Sequence, residues 1–180
     1  MGRRTVTLVD ESGRTTGKAD ILEAHTGAGK LHKAFSVYVF RNSRQDILIQ
    51  QRSKKKMLWP LIWANSCCSH PFEEESPSQA GERRLREELG LTLTLSPVAD
   101  FVYRAEDPGH GVEHEHVTIL RGDTASATMV TPNPDEIENW KWVNVDQLQA
   151  DMKKDPDLYA PWFHQGLAIL LSSKPVTSNQ

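Results

Sequence analysis

The sequence contains only 2 cysteines among 180 residues, and they are adjacent, at positions 67 and 68. A disulfide between neighbouring cysteines is geometrically strained, so this scarcity excludes a disulfide-stapled scaffold and favours free thiols in a reducing compartment. Long apolar runs are missing too, because the most apolar segment near the carboxyl end, 167–171, is far too short to cross a bilayer. The first residues also lack the apolar core of a signal peptide. These absences predict a soluble, cytoplasmic protein.

An excess of charge of one sign is absent as well. The formal net charge is -3, and the longest basic run is the short lysine segment 54–56. The electrostatic footprint of a nucleic-acid-binding protein is therefore missing. With 38% hydrophobic and 25% charged residues, the chain has the composition of an ordinary globular domain. The sequence implies no nucleic acid, membrane or partner protein.

The alternation of β-rich and amphipathic segments predicts a single α+β domain over residues 1–172, with a mixed β-sheet packed between α-helices. Residues 173–180 are expected to form a loose, disordered tail. The predicted strands are 5–9, 34–40, 47–51, 91–95, 98–103, 117–120 and 140–145, of which 34–40 and 47–51 form a hairpin. Two late helices are predicted to begin at Asp146 and Pro161, and the second is expected to bury Phe163, Leu167, Leu170 and Leu171.

The clearest helix is predicted to begin after Ser76. Ser76 is a favourable N-cap, and Pro77 suits the first helical position. Gln79 completes a capping box with Ser76, and Gly90 provides the stop signal. The helix is therefore predicted over residues 77–89.

The same helix carries one apolar row and two charged rows. The apolar row repeats every four residues and is expected to face the core: Gly81, Leu85 and Leu89. Arg84 with Glu88, and Arg83 with Glu87, have the same spacing. These charges form either an ion-paired solvent face or a rim that points into a cleft beside the buried row. Spacing alone does not decide between the two.

Side chains that bind metals and move protons occur in several separate segments. Residues two apart in a strand share a face, so Glu113 and Glu115 are expected to project together. By the same alternation Cys68 shares a face with His70 and not with Cys67. The nitrogen and oxygen donors gathered in this way suit Zn²⁺, Mn²⁺ or Fe²⁺, and they are His25, His32, His70, Glu113 and Glu115.

Simpler explanations exist for these residue types. A single His is more often a surface or hydrogen-bonded side chain, and that interpretation is preferred for His110, His114, His116 and His164. The cysteine pair would also fit inert core packing. A structural zinc module is a further alternative, although it would need histidines because the chain has no Cys-x-x-Cys pair.

Several ordered motifs, spread over nearly the whole chain, resemble the type 1 isopentenyl diphosphate isomerases, a family of the Nudix superfamily. The matching segments are 31–37, Gln51-Arg52, Trp59-Pro60, 65–71, 103–105, Glu113-x-Glu115 and Pro161-Trp162. Several separate motifs in one order are far more specific than any one of them. The resemblance implies a Nudix-like fold.

The helix after Ser76 resembles a Nudix box that has changed at two positions. The hydrolase pattern is Gly, five residues, Glu, seven residues, then Arg-Glu-apolar-x-Glu-Glu-x-Gly-apolar. Ser69 replaces the first Gly and Arg84 replaces a Glu, whereas the pattern is kept at Glu75, Arg83, Leu85, Glu87, Glu88, Gly90 and Leu91. Hydrolases use the box carboxylates to hold divalent metals around a diphosphate, so this change removes a metal ligand and adds a phosphate partner. The resemblance implies a site that holds a diphosphate without cutting it.

The activity that the resemblance implies is interconversion of isopentenyl diphosphate and dimethylallyl diphosphate, with one proton added and another removed. The difficulty is a tertiary carbocation-like state that water must not capture. The family places a Cys and a Glu on opposite faces of the substrate, and the matching residues are Cys68 and Glu115. Tyr103 matches a tyrosine hydrogen-bonded within that acid–base group, and Trp162 matches an aromatic residue whose π face stabilises the cation.

The resemblance also implies two metal ions. One Mn²⁺ or Zn²⁺ would be bound by a set of five residues that positions the catalytic Glu: His25, His32, His70, Glu113 and Glu115. A Mg²⁺ ion would accompany the diphosphate, with Glu88 as the box ligand and the backbone carbonyl of Cys68 as a second oxygen ligand.

Cationic side chains are implied for the diphosphate itself. The residues that match the family are Arg52, Lys56 and Arg84. Lys54 and Lys55 have no such match, and a solvated surface is preferred for them. Position 21 is Ile, where some bacterial relatives carry a phosphate-binding Lys, so either the contact is absent or another cation replaces it: Lys18, Lys30 or Lys33.

Two other functions are compatible with the sequence. The first is a Nudix hydrolase of a diphosphate substrate, which the fold would allow but which Arg84 in the box disfavours. The second is a metal-stabilised binding module without turnover. Which transition metal is bound, and whether Cys68 is a thiol or a thiolate, do not follow from the sequence.

Overall fold

The computed structural model describes residues 4–172, so the tail predicted for residues 173–180 lies outside the described part of the chain. The strands are β1 Thr5–Val9, β2 Thr15–Asp20, β3 His32–Arg41, β4 Asp46–Arg52, β5 Trp63–Ala64, β6 Cys67–Ser69, β7 Ser96–Asp107, β8 Gly111–Asp123 and β9 Ile137–Asn144. The helices are α1 Ile21–Ala24, α2 Pro77–Leu89, α3 Val145–Lys154 and α4 Pro161–Ser172, with a 3-10 turn at Pro156–Leu158.

Strand β3 is the centre of the mixed sheet. It pairs in parallel with β8 and antiparallel with β1, β4 and β6. The predicted hairpin is confirmed at its turn, where Phe40 pairs with Ile47 and Arg41 with Asp46. Beyond these pairs the two strands take other partners, since β3 continues along β8 while β4 continues along β9 and β5. The sheet therefore opens between β3 and β4.

Alternation along β3 sends successive side chains to two cores, one on each face of the sheet. Phe35 and Val37 pack on one face with Leu85 of α2. Tyr38 packs on the other face in the core that includes Phe163 of α4. Both faces of β3 are buried, as expected for a strand covered by helices on two sides. The predicted α+β domain, with a mixed sheet between helices, is confirmed.

Helix α2 begins and ends where the sequence predicts. The Ser76 side chain accepts a hydrogen bond from the Gln79 backbone, and the Gln79 side chain accepts one from the Ser76 backbone, which completes the capping box. Gly90 ends the helix with a left-handed φ of 68°, a conformation that favours glycine. The predicted core residues of the apolar row are all buried: Gly81, Leu85 and Leu89.

Two local predictions are wrong, and one boundary shifts. Residues 91–95 do not form a strand, because Leu91 and Leu95 are buried in the core beneath α2 and the Leu95 N–H donates to the Glu82 side chain instead of a strand. Leu171 is 40% exposed, since it lies at the edge of the buried face in the last turn of α4. The strand predicted at 140–145 is β9, and it ends before Val145 because Asn144 caps α3.

Replacement of Ser76 by Ala is expected to lower the melting temperature by roughly 2–4 °C, because loss of an N-cap costs about 1 kcal/mol in a domain of this size. Ser78→Ala is the matched control, since Ser78 is in the first turn of the same helix and Ser76 supplies the cap. Thermal unfolding followed by circular dichroism measures both. Equal melting temperatures for Ser76→Ala and Ser78→Ala would contradict the capping role.

Candidate active site

One cavity of about 340 Å³ brings together residues that are far apart in the sequence. The four predicted catalytic residues line it: Cys68 on β6, Tyr103 on β7, Glu115 on β8 and Trp162 on α4. The three predicted diphosphate contacts line it as well: Arg52, Lys56 and Arg84. The cavity is therefore the candidate active site.

The register of three neighbouring strands builds one end of this cavity. Tyr103 of β7 is paired with Glu115 of β8, and Glu115 is paired in turn with His32 of β3. Glu113 lies two residues before Glu115 on the same buried face, while His114 projects to the other side, as the alternation predicts. A tyrosine, a carboxylate and an imidazole thus form a continuous row across the sheet.

Four of the five predicted transition-metal ligands converge at the end of this row. His25, His32, His70 and Glu115 each offer a ligand atom, and these atoms all lie within 4.8 Å of one another. The Nε2 atoms of His32 and His70 are 3.1 Å apart, and Nε2 of His70 is 3.0 Å from Oε1 of Glu115. Ligand atoms of a tetrahedral centre lie roughly 3.3 Å apart when metal–ligand bonds are about 2.0 Å long. The donor set and its spacing fit a divalent metal ion.

Backbone carbonyls set the proton positions of two of these imidazoles. Nδ1 of His25 is 2.7 Å from the Ile21 carbonyl oxygen, and Nδ1 of His32 is 2.7 Å from the Lys30 carbonyl oxygen. A carbonyl only accepts, so each Nδ1 carries the proton and each Nε2 keeps a free lone pair. Burial also lowers the pKa of His70 to about 4, which keeps that ring neutral at pH 7. Neutral imidazole with a lone pair is the form that binds a metal.

Glu113, the fifth predicted ligand, does not share this convergence and is held by Tyr103 instead. The Tyr103 hydroxyl donates to Oε2 of Glu113, and it lies 3.1 Å from Oε2 of Glu115. Burial and the negative charge of Glu115 raise the pKa of Glu113. Burial would also raise the pKa of Glu115, but the hydrogen bond with His70 and the nearby imidazole of His32 outweigh it and hold the pKa of Glu115 below its usual value. The pair therefore consists of an ionised Glu115 beside a carboxyl that retains a proton more readily.

The thiol of Cys68 is held neutral in the same cavity. Its Sγ atom donates to Oδ1 of Asn65 at 3.1 Å and lies 3.3 Å from the hydroxyl oxygen of Ser36. Burial raises the pKa of Cys68 to about 12, which keeps the thiol protonated at neutral pH. Cys67 points into the opposite core beneath α2 and is fully buried. The expected separation of the two thiols is confirmed.

Asn65 is a functional residue that the sequence analysis missed. Its amide nitrogen donates to the carbonyl oxygens of Val37 and Cys67, both at 3.0 Å, which fixes the orientation of the amide. Its oxygen then accepts from the Cys68 thiol and, at 3.0 Å, from the Trp162 indole N–H. Asn65 therefore positions both side chains. The position of Asn65 in the 65–71 motif was the one sequence signal for this role. The hydrogen bond to Trp162 could not be predicted, because the two residues are 97 positions apart in the sequence.

Aromatic rings form the wall beside the thiol. Trp162 is only 2% exposed, and its ring lies 5.4 Å from that of Trp59 and 6.2 Å from that of Tyr103. The guanidinium carbon of Arg52 lies 5.2 Å from the Trp162 ring centre. An aromatic face at this position attracts positive charge through the ring quadrupole.

Part of the cavity is lined by cations, and we call this part the cationic end. Arg52 donates to the backbone carbonyls of Leu58 and Trp59 and is therefore held in place without a carboxylate. Lys56 and Arg84 both bind the carboxylate of Glu136, a residue that the sequence analysis did not identify. These cations give this end of the cavity the character of an anion site.

The charged rows of α2 are therefore more than a solvent face. Arg84 and Glu88 are 9% and 1% exposed, and they form a buried ion pair. Arg83 and Glu87 lie at the surface side and are 3.4 Å apart. Glu88 is not among the described residues that line the cavity, because the Arg84 side chain binds it from the cavity side.

Lys55, at the cavity rim, agrees with the solvated surface expected for it. Lys55 lines the cavity, but its side chain is exposed and paired with Asp135. Of the proposed replacements for a cation at position 21, Lys18 pairs with Glu73 and Lys30 pairs with Glu23.

The third proposed replacement, Lys33, lines a different cavity. Arg4, which the sequence analysis missed, lines the candidate site beside Ile21, and its backbone carbonyl accepts a hydrogen bond from the Ile21 N–H. Arg4 is therefore the cation that the structure places next to position 21.

The remaining histidines lie outside the cavity, in agreement with the simpler interpretation. His110 is 3.3 Å from Asp107, and His164 contacts the Pro156 carbonyl oxygen at 3.0 Å. His114 and His116 alternate with the buried carboxylates on β8 and face the other way.

Comparison with known proteins places this geometry in a family. A NUDIX domain model matches residues 30–163. The isopentenyl-diphosphate Delta-isomerase of Nocardia farcinica is 44% identical over 169 residues, which are 91% of this chain and 93% of that protein. The isopentenyl-diphosphate Delta-isomerase of Halorhodospira halophila is 40% identical over 172 residues, 95% of each. The chain belongs to the isopentenyl-diphosphate Delta-isomerase family.

The fold of this chain is similar to that of a protein whose structure has been solved. The DR0079 protein of Deinococcus radiodurans matches with a TM-score of 0.67, over 84% of this chain and 90% of that one. At 19% identity the likeness concerns the fold alone. Among residues 4–172, no helix combines the length and the apolar character needed to cross a membrane.

The altered Nudix box of this family member is internally ion-paired. The Arg83 guanidinium binds both carboxylate oxygens of Glu75, at 2.6 and 2.8 Å, and lies 3.9 Å from the Phe72 ring centre. Arg84 stands where the hydrolase pattern has Glu and binds Glu88 and Glu136. The box therefore presents a bound guanidinium at a position where the hydrolase pattern has a carboxylate ligand.

Zn²⁺ or Mn²⁺ added to metal-free protein is expected to raise the melting temperature by roughly 5 °C or more, because metal that binds only the folded state stabilises it. His70→Ala should lose most of this rise, since it removes a converging Nε2 atom. His114→Ala is the matched control on the other face of β8 and should keep the rise. Differential scanning calorimetry with and without metal measures each variant. An unchanged rise in His70→Ala would contradict the assignment.

Proposed function

We propose that this protein is an isomerase that interconverts isopentenyl diphosphate and dimethylallyl diphosphate, as its relatives are named to do. The observation that carries the proposal is the meeting of the Cys68 thiol and the Glu113–Tyr103–Glu115 group in one cavity. The reaction needs a proton donor and a proton acceptor that face the same small substrate, and these two groups are suited to the roles. Isoprenoid building blocks are thus the expected substrate class.

The proton balance follows from two side chains. In either direction one proton adds to an alkene carbon and another leaves the allylic carbon, so the double bond moves while the formula stays the same. One of Cys68 and Glu115 delivers the proton and the other receives one, and the roles exchange when the reaction reverses. The protonated thiol of Cys68 and the ionised carboxylate of Glu115 support this, because one group holds a proton in the resting site and the other is free to accept one.

Trp162 stabilises the positive charge that develops between these two steps. Its buried ring offers a π face in a cavity that also contains Tyr103 and Cys68. A cation over an aromatic face gains about 2 kcal/mol or more when water is excluded. The aromatic wall also keeps water from capturing the cation.

The diphosphate binds at the cationic end. Arg52, Lys56 and Arg84 supply the charge, and the guanidinium groups can donate two parallel hydrogen bonds to phosphate oxygens. Glu88 and the backbone carbonyl of Cys68 would hold Mg²⁺, since both supply the oxygen ligands that this ion prefers. Mg²⁺ bound there would neutralise part of the phosphate charge.

A Mn²⁺ or Zn²⁺ ion bound by His25, His32, His70, Glu113 and Glu115 would supply a positive charge beside the acid–base group. The chain's own contribution is to orient Glu115, because His32 and His70 contact one of its oxygens while Tyr103 contacts the other. Four of these five residues have converging ligand atoms, which supports the assignment.

We assign the whole of residues 1–172 to this single domain and place its activity in the cytoplasm. Two free cysteines support a reducing compartment. The substrate is a small molecule, and no membrane, nucleic acid or partner protein is required by the proposed chemistry.

The runner-up is a Nudix hydrolase of a diphosphate substrate, since the fold itself allows either chemistry. Arg84 argues against it, because its guanidinium occupies a position where the hydrolase pattern needs a carboxylate and is itself bound to the carboxylates of Glu87, Glu88 and Glu136. A metal-stabilised binding module without turnover would form no product, its melting temperature would be set by the metal, and Cys68→Ala would leave ligand binding unchanged.

Replacing Cys68 by Ala is expected to lower kcat for isopentenyl diphosphate by about 10²-fold or more while the fold is kept, because it removes a proton-transfer group. Cys67→Ala is the matched control, since Cys67 lies in the other core and should keep kcat near the wild-type value. Chromatographic detection of dimethylallyl diphosphate measures turnover, and a phosphate assay measures hydrolysis. Phosphate release by the wild type would support the hydrolase, and full activity in Cys68→Ala would contradict the proposed role.

A further inference from the structure

Glu136 occupies the cationic end of the cavity from the loop before β9. Its Oε1 atom accepts a hydrogen bond from Nη2 of Arg84 at 2.9 Å, and its Oε2 atom binds the Lys56 ammonium group. The side chain is 23% exposed and lines the cavity with its two partners. One carboxylate therefore holds two of the three cations that the proposed function assigns to the diphosphate.

Backbone bonds fix Glu136 in this place. The Ser53 N–H donates to the Glu136 carbonyl oxygen at 2.9 Å, and the Lys56 N–H donates to the Ser53 carbonyl oxygen at 3.0 Å. The Glu136 N–H donates to the Asn133 carbonyl oxygen at 3.0 Å. The segment that carries Lys56 is thus tied to the segment that carries Glu136, and the carboxylate is part of the built site.

The charge of this end of the cavity depends on Glu136. Burial would raise its pKa, but Lys56 and Arg84 lower the pKa to about 2, so the carboxylate is ionised at neutral pH. Lys56 and Arg84 bind the carboxylates of Glu136 and Glu88, whereas Arg52 is held by backbone carbonyls. Ionised Glu136 therefore removes one unit of positive charge from this end of the cavity.

A diphosphate monoester carries roughly three negative charges at neutral pH, given that a terminal phosphate carries about two. Bound Mg²⁺ reduces this to roughly one, so the metal-bound form needs less positive charge from the site than the metal-free form does. Metal-free diphosphate must instead displace Glu136 or remain beside it, and like charges at such distances repel strongly in a partly buried site.

We infer that Glu136 is a specificity-determining residue that makes the site prefer the Mg²⁺-bound form of a diphosphate over the metal-free form. The inference rests on the proposed function, because it takes the cationic end of the cavity as the diphosphate site. Glu136 neutralises positive charge that would otherwise attract metal-free diphosphate. It also keeps Lys56 and Arg84 ion-paired in the site when no diphosphate is bound.

The test is the binding of inorganic pyrophosphate to the transition-metal-loaded protein, measured by isothermal titration calorimetry with and without added Mg²⁺. The quantity compared is the Kd without Mg²⁺ divided by the Kd with Mg²⁺. We expect Glu136→Gln to lower this ratio about tenfold or more, chiefly because metal-free pyrophosphate binds more tightly once the carboxylate is gone. Glu136→Ala removes the same charge without an amide and should lower the ratio in the same direction.

Asp135→Asn is the matched control for the loss of one carboxylate from this loop. Asp135 pairs with Lys55, and both side chains are well exposed, at 70% and 62%. Exposed pairs contribute little, so the ratio should stay within about twofold of the wild type. Glu136→Asp keeps the charge and should preserve a ratio close to the wild-type value.

Folded Glu136→Gln and Glu136→Ala proteins with a wild-type ratio would overturn the inference, and so would an equal loss of affinity for both forms of pyrophosphate. The second result would mean that Glu136 only positions Lys56 and Arg84. The wild-type titration separates this inference from the proposed function. If the wild-type protein binds neither form of pyrophosphate, the cavity has no diphosphate site and the proposed function itself fails.

Discussion

The burial of an ionised Glu115 is the constraint on which the rest of the site depends. Its carboxylate belongs to a residue that is only 8% exposed, an arrangement that would be costly without compensation. Imidazole nitrogens of His32 and His70 lie near one oxygen and the Tyr103 hydroxyl lies near the other. This compensation requires β7, β8 and β3 to keep one register, since the tyrosine, the carboxylate and one imidazole lie on paired positions of the three strands.

The two ends of the cavity follow from this frame. The β6 strand pairs with β3 so that Cys68 lies opposite Ser36, on the same face as the buried carboxylate. Trp162 of α4 and the Cys68 thiol both donate hydrogen bonds to Oδ1 of Asn65, which holds them in one cavity. At the far end α2 carries Arg84 into the cavity, and the altered box thereby provides an anion-binding guanidinium. The same Nudix fold that supports metal-assisted hydrolysis therefore holds, in this chain, a neutral thiol and an anion site in one cavity.

Local patterns in the sequence were sufficient for much of this structure. The capping box at Ser76 and the four-residue row of α2 depend on neighbours in the chain, and period-two alternation correctly separated Cys67 from Cys68. Residues 91–95 misled the prediction because an alternating apolar pattern also suits a loop packed beneath a helix. Asn65, Glu136 and Arg4 were missed because their roles come from contacts with distant segments. The resemblance supplied the roles of residues, and the strand register supplied the reason they meet.

The central claim is that proton transfer between carbon and two side chains in one cavity moves the double bond. It is tested most directly by incubating the metal-replete protein with isopentenyl diphosphate and Mg²⁺ in D₂O and following the products by NMR. The account predicts dimethylallyl diphosphate with deuterium at the carbon that received the proton, because the exchangeable protons of the donor groups come from solvent. Unlabelled dimethylallyl diphosphate, released phosphate, or unchanged substrate in the presence of bound metal would contradict it.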